Sequence, residues 1–270
     1  MALHSISRFA RQAIRFLIPV DCAACGTPLT DDPVPLFCAR CWTKIAPFDH
    51  ARCARCDRPF ASPVATTFSP GHRCQPCARR PPSYTRAWTL YPYLPPLQDA
   101  ICLLKYRGRL SLTAPLARLM IDALPPTLTA DMIMPVPLHP RRLREREFNQ
   151  SLLLADYLGD RLGLPVAYTN LTRALPTAAQ TSLSRKDRLR NLRGAFAVRR
   201  PEAIAGKRIL LIDDVFTTGA TVNECARTLR RAGSGHVFAV TLARTVESGL
   251  IPDRVLAQRA SGRTWSIGGS

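Results

Sequence analysis

The sequence predicts an α/β fold, a largely parallel sheet flanked by helices, preceded by a small cysteine-rich module. Three observations carry that reading. Eight of ten cysteines form four CxxC pairs between Cys22 and Cys77, strand and helix patterns alternate from Thr85 onward, and an apolar strand ends in Asp213-Asp214 before a Thr/Gly loop. A chain of 270 residues is long enough for two domains. The expected division is 1–20, a short helix; 21–82, the cysteine module; 83–246, the α/β domain; and 247–270, a tail without periodicity that is expected to fray.

At the N-terminus, Ile6, Phe9 or Ala10, Ala13, Ile14 and Leu17 recur at helical spacing opposite Arg8, Arg11 and Arg15. This amphipathic stretch is expected to pack on its own protein, with peripheral docking at a membrane surface as the alternative. No run approaches the roughly 20 apolar residues of a membrane span, and no small-residue cleavage site follows, so the chain is expected in the cytoplasm.

The pairs Cys22/Cys25, Cys38/Cys41, Cys53/Cys56 and Cys74/Cys77 come next. Two thiolates on one tight turn can share a tetrahedral Zn²⁺, and two such knuckles complete a four-thiolate site, so four knuckles fit two zincs. Eight thiolates leave no open position, which implies structural zinc. A cytoplasmic chain would not keep a disulfide framework. A redox role needs one CxxC at a helix start rather than four in a row. Sequential pairing closes the shortest loops and is preferred; interleaved pairing is the alternative. His50 and His72 lie beside knuckles and read as exposed histidines; Cys102 and Cys225 read as small buried hydrophobes.

From Thr85 the pattern gives a strand at 85–93, helices at 96–106 and 112–124, a strand at 131–137, a helix at 148–162 and a strand at 165–171. A polar stretch follows, then strands at 195–198 and 207–214, a helix at 220–233 and a strand at 236–244. In such a sheet ligands sit at the C-terminal strand ends. The decisive segment is 208–221, RILLIDDVFTTGAT. Its helix start offers unpaired N–H groups and a positive dipole end to a phosphate, Gly219 permits close backbone approach, and Thr217, Thr218 and Thr221 add hydroxyls. Adjacent carboxylates can accept hydrogen bonds from two neighbouring sugar hydroxyls. No GKS or GKT follows the glycine, which excludes a Walker loop.

This segment resembles the signature of type I phosphoribosyltransferases, which bind phosphoribosyl pyrophosphate (PRPP) with Mg²⁺. The resemblance implies that Asp213 and Asp214 hold the ribose 2′ and 3′ hydroxyls and that Val215, Thr217, Thr218, Gly219, Ala220 and Thr221 line the 5′-phosphate cradle. With LKYRGR at 104–109, PVPLHPRRLREREFNQSLLLAD at 135–156, RALPTAAQTSLSRKDRLRNLRGAF at 173–196 and the cysteine pairs, most of the chain resembles the ComF family. That family carries a zinc ribbon on a phosphoribosyltransferase domain and is implicated in natural transformation and use of external DNA. The likeness places Pro135, Val136 and Pro137 where the pyrophosphate loop leaves its strand, and matches Arg142, Arg146, Phe148, Asn149 and Gln150 to its Arg and R-G-F-N-Q elements. Glu147 stands where the family has glycine; a positive φ is disfavoured there. Gln180, Arg188, Asn191 and Phe196 fit the next motif, read as a hood closing over PRPP with Arg173, Arg185 and Arg188 as phosphate clamps. Lys105 and Arg107 are expected to reach the same site, and His139 at the strand exit reads as an oriented neutral histidine.

The charge of +19, from 38 Lys and Arg against 19 Asp and Glu, favours a polyanionic partner. Two function classes follow. One is an enzyme transferring phosphoribose to an unknown acceptor. The other is a binding module with a retained PRPP pocket, gripping single-stranded DNA or DNA-uptake machinery through Arg40, Lys44, Arg52, Arg55 and Arg58 with Trp42 and Phe48.

Overall fold

A computed structural model describes residues 20–173 and 194–246. The N-terminal helix, most of the 173–196 segment including Gln180, Arg185, Arg188 and Asn191, and the tail from 247 lie outside the described residues. The chain divides into two compact units. Among the described residues one comprises 20–45 with Val246, and Ala46–Thr245 forms the other.

In the first unit a short helix, α1 (Ala39–Trp42), starts from Cys38 and stacks Trp42 against buried Phe37 at 5.5 Å. The second unit opens with another cysteine knuckle pair and two further short helices, α2 (Val64–Thr67) and α3 (Gln75–Arg79). Strand β1 (Arg86–Pro92) then leads into α4 (Leu97–Arg107) and α5 (Thr113–Asp122), and β2 (Met132–Pro135) into α6 (Pro140–Arg146) and α7 (Gln150–Leu162). After β3 (Leu171–Arg173) and β4 (Phe196–Val198) come β5 (Ile209–Phe216), α8 (Ala220–Arg231) and β6 (Val237–Arg244). The main sheet has the order β1-β6-β5-β2 with every pairing parallel, while β3 and β4 form a separate antiparallel pair.

Strand β5 is central because it is apolar on both faces. Ile209, Leu210, Leu211 and Ile212 are all fully buried, each worth about 1.5–3 kcal/mol of apolar transfer. On one face Ile209 and Leu211 join Met132, Met134, Val237 and Ala239 in a cluster with Val222, Cys225 and Leu229 of α8. Helix α7 packs on β2 and β5 and is covered in turn by α5.

That first cluster also contains Cys53, Cys56, Cys74 and Cys77, so the second cysteine group is built into the core of the sheet domain. Polar contacts pin it there. Asp57, buried, accepts from the Thr89 amide of β1 at 2.8 Å and from Arg52 at 3.0 Å, and the Ala87 amide donates to the Arg55 carbonyl at 2.9 Å.

Two elements differ from the sequence reading. The strand expected at 165–171 is reduced to one parallel bridge, Val166 to Ile133, held by Ile133 N–H to Pro165 O and Ala167 N–H to Ile133 O, both 2.9 Å. Pro165 has no N–H to extend the ladder, and the chain leaves β2 to pair Leu171–Arg173 with β4 instead. Helix α6 was not anticipated. Among its residues none is buried, so no apolar stripe announces it; Pro140 at its first turn and the His139 cap do.

Candidate functional site

At the C-terminal end of β5 the apolar run gives way to Asp213 and Asp214, both partly exposed. Asp213 Oδ1 accepts from the Ser151 hydroxyl at 2.9 Å and from the Asp214 amide at 3.0 Å. Asp214 Oδ1 lies 2.9 Å from Lys105 Nζ, with both side chains largely buried. Burial first and the Asp214 carboxylate second push the Asp213 carboxyl up to about 7, against the opposing pull of Lys105 and Ser151.

The strand then turns through Thr217 and Thr218, exposed, into Gly219, which caps α8 in the left-handed region at φ 75°. A side chain here is barred twice: by that φ and because a Cβ would sit 2.3 Å from Cζ of the Phe216 ring. Thr218 Oγ1 accepts from the Ala220 amide at 3.3 Å. The remaining first-turn N–H groups of α8 have no intrahelical acceptor, the arrangement that favours an anion. Thr221, half-buried, lies in that first turn, and Val215 is a half-buried β5 residue.

The adjacent strand contributes its own loop. Pro135 ends β2, the Val136 amide continues the ladder to Ile212 O at 2.9 Å, and Pro137 leads out. His139 Nδ1 accepts from the Arg141 amide at 3.1 Å, so this nitrogen is unprotonated and the ring is oriented as a helix cap. Arg142 is exposed on α6, and the half-buried Arg146 guanidinium lies 4.8 Å from the Tyr106 ring centre. Glu147 ends α6 in the left-handed region, φ 64°, with its amide bonded to Leu143 O at 2.8 Å. A carboxylate residue was expected to resist that conformation; the chain adopts it regardless, because the helix end and the return to Asn149 require the turn. Asn149 caps α7 by accepting from the Ser151 amide at 3.1 Å and donates to Val136 O at 3.1 Å. Gln150 is fully buried, and among the described residues neither its amide nitrogen nor its oxygen has a partner.

Structure thus brings Lys105, the β2 exit and the Asp pair to one end of the sheet. Arg173, mostly buried, stacks on Phe196 at 5.6 Å; burial, then Arg142, lowers its pKa. Arg107 is exposed at the end of α4, and Arg188 lies outside the described residues. Two contributors were missed. Ser151 sits one residue beyond the F-N-Q match, and only the helix cap at Asn149 signals that its hydroxyl faces the strand end. Tyr106 is 68% exposed beside Lys105, where its companion Arg146 is forty residues away in sequence.

The cysteines assemble as Cys22, Cys25, Cys38 and Cys41, and as Cys53, Cys56, Cys74 and Cys77, with all sulfurs of each set within 4.8 Å. Sγ separations of 3.7 Å for Cys25–Cys38 and 3.6 Å for Cys56–Cys74 are close to the roughly 3.8 Å edge of a tetrahedron with metal–sulfur bonds of about 2.3 Å. Backbone amides point at the sulfurs, from Cys38 to Cys22 at 3.4 Å and from Cys74 to Cys53 at 3.3 Å. Both sets fit a structural zinc in sequential pairing. His50 and His72 are exposed and belong to neither set. Of the basic knuckle residues, Arg40 and Lys44 are exposed, whereas Arg52 pairs with Asp57 and Arg55 donates to Pro82 O at 2.9 Å. No helix among the described residues is long and apolar enough to cross a membrane.

Comparison with known proteins agrees with both parts. The phosphoribosyl transferase domain family matches residues 149–259 and the double zinc ribbon family residues 13–78. Competence protein F of Haemophilus influenzae is 34% identical over 179 residues, 63% of this chain and 78% of that protein. DNA utilization protein YhgH of Salmonella typhi is 34% identical over 226 residues, 79% of this chain and 99% of that protein. The chain belongs to the ComF family. Its fold is the type I phosphoribosyltransferase fold behind a double zinc ribbon. Among solved structures, orotate phosphoribosyltransferase from Aeropyrum pernix aligns at 16% identity and a TM-score of 0.34, over 58% of this chain and 81% of that one. That overlap is too loose to add to the assignment. In this ComF-family chain the two cysteine tetrads fall within the double zinc ribbon match, and the β5–α8 turn falls within the phosphoribosyl transferase domain match.

Proposed function

We propose that this ComF-family protein binds PRPP with Mg²⁺ at the end of β5 and transfers its phosphoribosyl group to a nucleophilic acceptor in the cytoplasm, in a process that uses DNA. One observation carries the reading: a fully buried strand, Ile209 to Ile212, delivers two carboxylates and a left-handed glycine to the N-terminus of a twelve-residue helix. Thr217 to Thr221 take the 5′-phosphate, and Asp213 and Asp214 accept from the ribose diol. Lys105 exchanges its contact with Asp214 for one with a phosphate oxygen when ligand enters. The cation supplies charge neutralisation for the pyrophosphate leaving group, and Arg142, Arg146, Arg173 and Arg188 are assigned the same task from the protein side. The β2 exit at Pro135, Val136 and Pro137 lies where the pyrophosphate passes. Gln150, buried without a partner among the described residues, supports a local rearrangement on binding, since an unmet amide costs about 1–3 kcal/mol.

The test is pyrophosphate release from PRPP and Mg²⁺ across nucleobases, nucleotides and single-stranded DNA. Acceptor-dependent release supports transfer; PRPP binding without turnover by any acceptor class removes the enzymatic reading. A second reading, a single-stranded DNA grip on the first ribbon, is favoured by exposed Arg40 and Lys44 beside half-buried Trp42. Charge reversal of those two residues then flattens the salt dependence of DNA affinity; an unchanged slope removes it.

A further inference from the structure

We infer that Arg244 is a positioning residue that couples the second cysteine tetrad to the phosphate loop, so that metal held by Cys53, Cys56, Cys74 and Cys77 sets the affinity of the loop for its anion. The inference rests on the PRPP reading above. Arg244 ends β6 and is 8% exposed. Its Nη1 donates to the Cys56 carbonyl at 2.8 Å, within the turn that joins two of the cysteines. The same guanidinium lies 4.6 Å from the centre of the Phe216 ring. That ring is the surface on which Gly219 rests, close enough that a Cβ would overlap its Cζ and Cε1. Tyr84 meets Phe216 edge-on at 6.5 Å, and all four cysteines, Tyr84 and Phe216 share one buried cluster.

Each link in this chain is short-range and directional. A buried guanidinium is costly to desolvate, and here it is held by a carbonyl and an aromatic face. Such an arrangement is retained where the cation has a structural task. Four thiolates and one divalent ion carry a net charge of about −2, which favours a cation beside the tetrad. Loss of the metal frees the Cys53–Cys56 turn, withdraws the carbonyl from Arg244, and lets the Phe216 ring tilt away from Gly219. The loop amides then lose their common aim at the phosphate. Linkage makes the coupling reciprocal for equilibrium affinities: bound PRPP must tighten metal at this tetrad by the factor by which metal tightens PRPP.

The experiment uses the full zinc-loaded chain, with PRPP and Mg²⁺ as the probe. PRPP affinity is measured by calorimetry, and zinc retained at equilibrium against a graded chelator is measured with and without PRPP. For the unmodified chain, added PRPP is expected to raise zinc retention. Arg244→Met is expected to weaken PRPP binding about tenfold, within the usual range of such couplings, and to abolish the effect of PRPP on retention. Arg244→Lys, which keeps the charge and a donor but not the planar face, is expected to lose about threefold and to decide the matter if the methionine variant does not fold. A residue that merely glues the parts together would lower thermal stability while leaving both the affinity of the folded protein and the PRPP effect on zinc unchanged; that result overturns the inference and leaves the PRPP reading standing. Failure of the unmodified chain to bind PRPP overturns both.

Discussion

Replacing Gly219 by alanine probes the turn on which phosphate binding depends, and its cost can be worked from two terms. The backbone sits at φ 75°, where an L-residue is strained by about 1–2 kcal/mol. The new Cβ would lie 2.3 Å from Cζ and 2.7 Å from Cε1 of Phe216, and overpacking of this kind costs about 1–3 kcal/mol. Phe216 cannot move aside freely, because Arg244 and Tyr84 hold the ring. Reduced freedom of the unfolded chain returns about 0.4–1 kcal/mol, leaving a net loss of about 1–4.6 kcal/mol, centred on about 3 kcal/mol. At about 2–4 °C per kcal/mol for a unit of this size, the central value of about 3 kcal/mol lowers Tm by about 6–12 °C. Gly163→Ala is the control: it shares a positive φ of 65° but meets nothing within 4 Å, so it should cost about 1 kcal/mol or less. Thermal melts of the three proteins read the difference directly. Equal Tm values for the two variants would refute the close contact between Phe216 and Gly219.

Glu147→Gly relieves a side chain from the left-handed region at φ 64° and should stabilise by about 0.5–1 kcal/mol after the entropy of glycine is counted; a lower Tm would contradict this. Asp213 has its folded pKa raised to about 7, so the folded state holds a proton that the unfolded state releases near 4. Stability should therefore fall as pH rises from about 4 through 7, and Asp213→Asn should remove that part of the dependence. Urea unfolding at pH 5 and pH 8 measures it, and parallel pH profiles for the two proteins would count against the raised pKa. Purified protein should carry two zinc ions, and Cys53→Ser should lower this to one while reducing Tm, because Cys53 lies in the sheet-domain core. Elemental analysis showing no change in zinc content would exclude Cys53 as a ligand.

Much of the fold was legible because its signals are local. The apolar run at Ile209–Ile212 has one reading as a strand buried on both faces, and the Val222, Cys225, Ala226 and Leu229 stripe has one reading as a helix face. The cysteine spacing was equally plain, and shortest-loop pairing anticipates both tetrads. What could not be read depends on long-range partners. Residues 165–171 look like a strand by composition, yet pairing of Leu171–Arg173 with β4 draws the chain off the sheet edge. Lys105 was named for the site, but its 2.9 Å contact with Asp214 spans more than a hundred residues and has no sequence signature. Ser151 and Arg244 escaped for the same reason, since a single hydroxyl or guanidinium takes its role from what the fold sets opposite it. The left-handed Glu147 runs against propensity; the demand of the α6 terminus outweighs the preference of one side chain.

The central claim is that the carboxylate pair and the glycine turn after β5 form one sugar-phosphate site. Titration calorimetry of PRPP with Mg²⁺ into the intact chain, and into Asp213→Ala with Asp214→Ala, tests it most directly. Saturable binding by the former and at least a tenfold loss in the latter are expected, since charge-assisted hydrogen bonds of about 1.5–3 kcal/mol each are removed. Binding of equal strength by both proteins, or none by either, would contradict it.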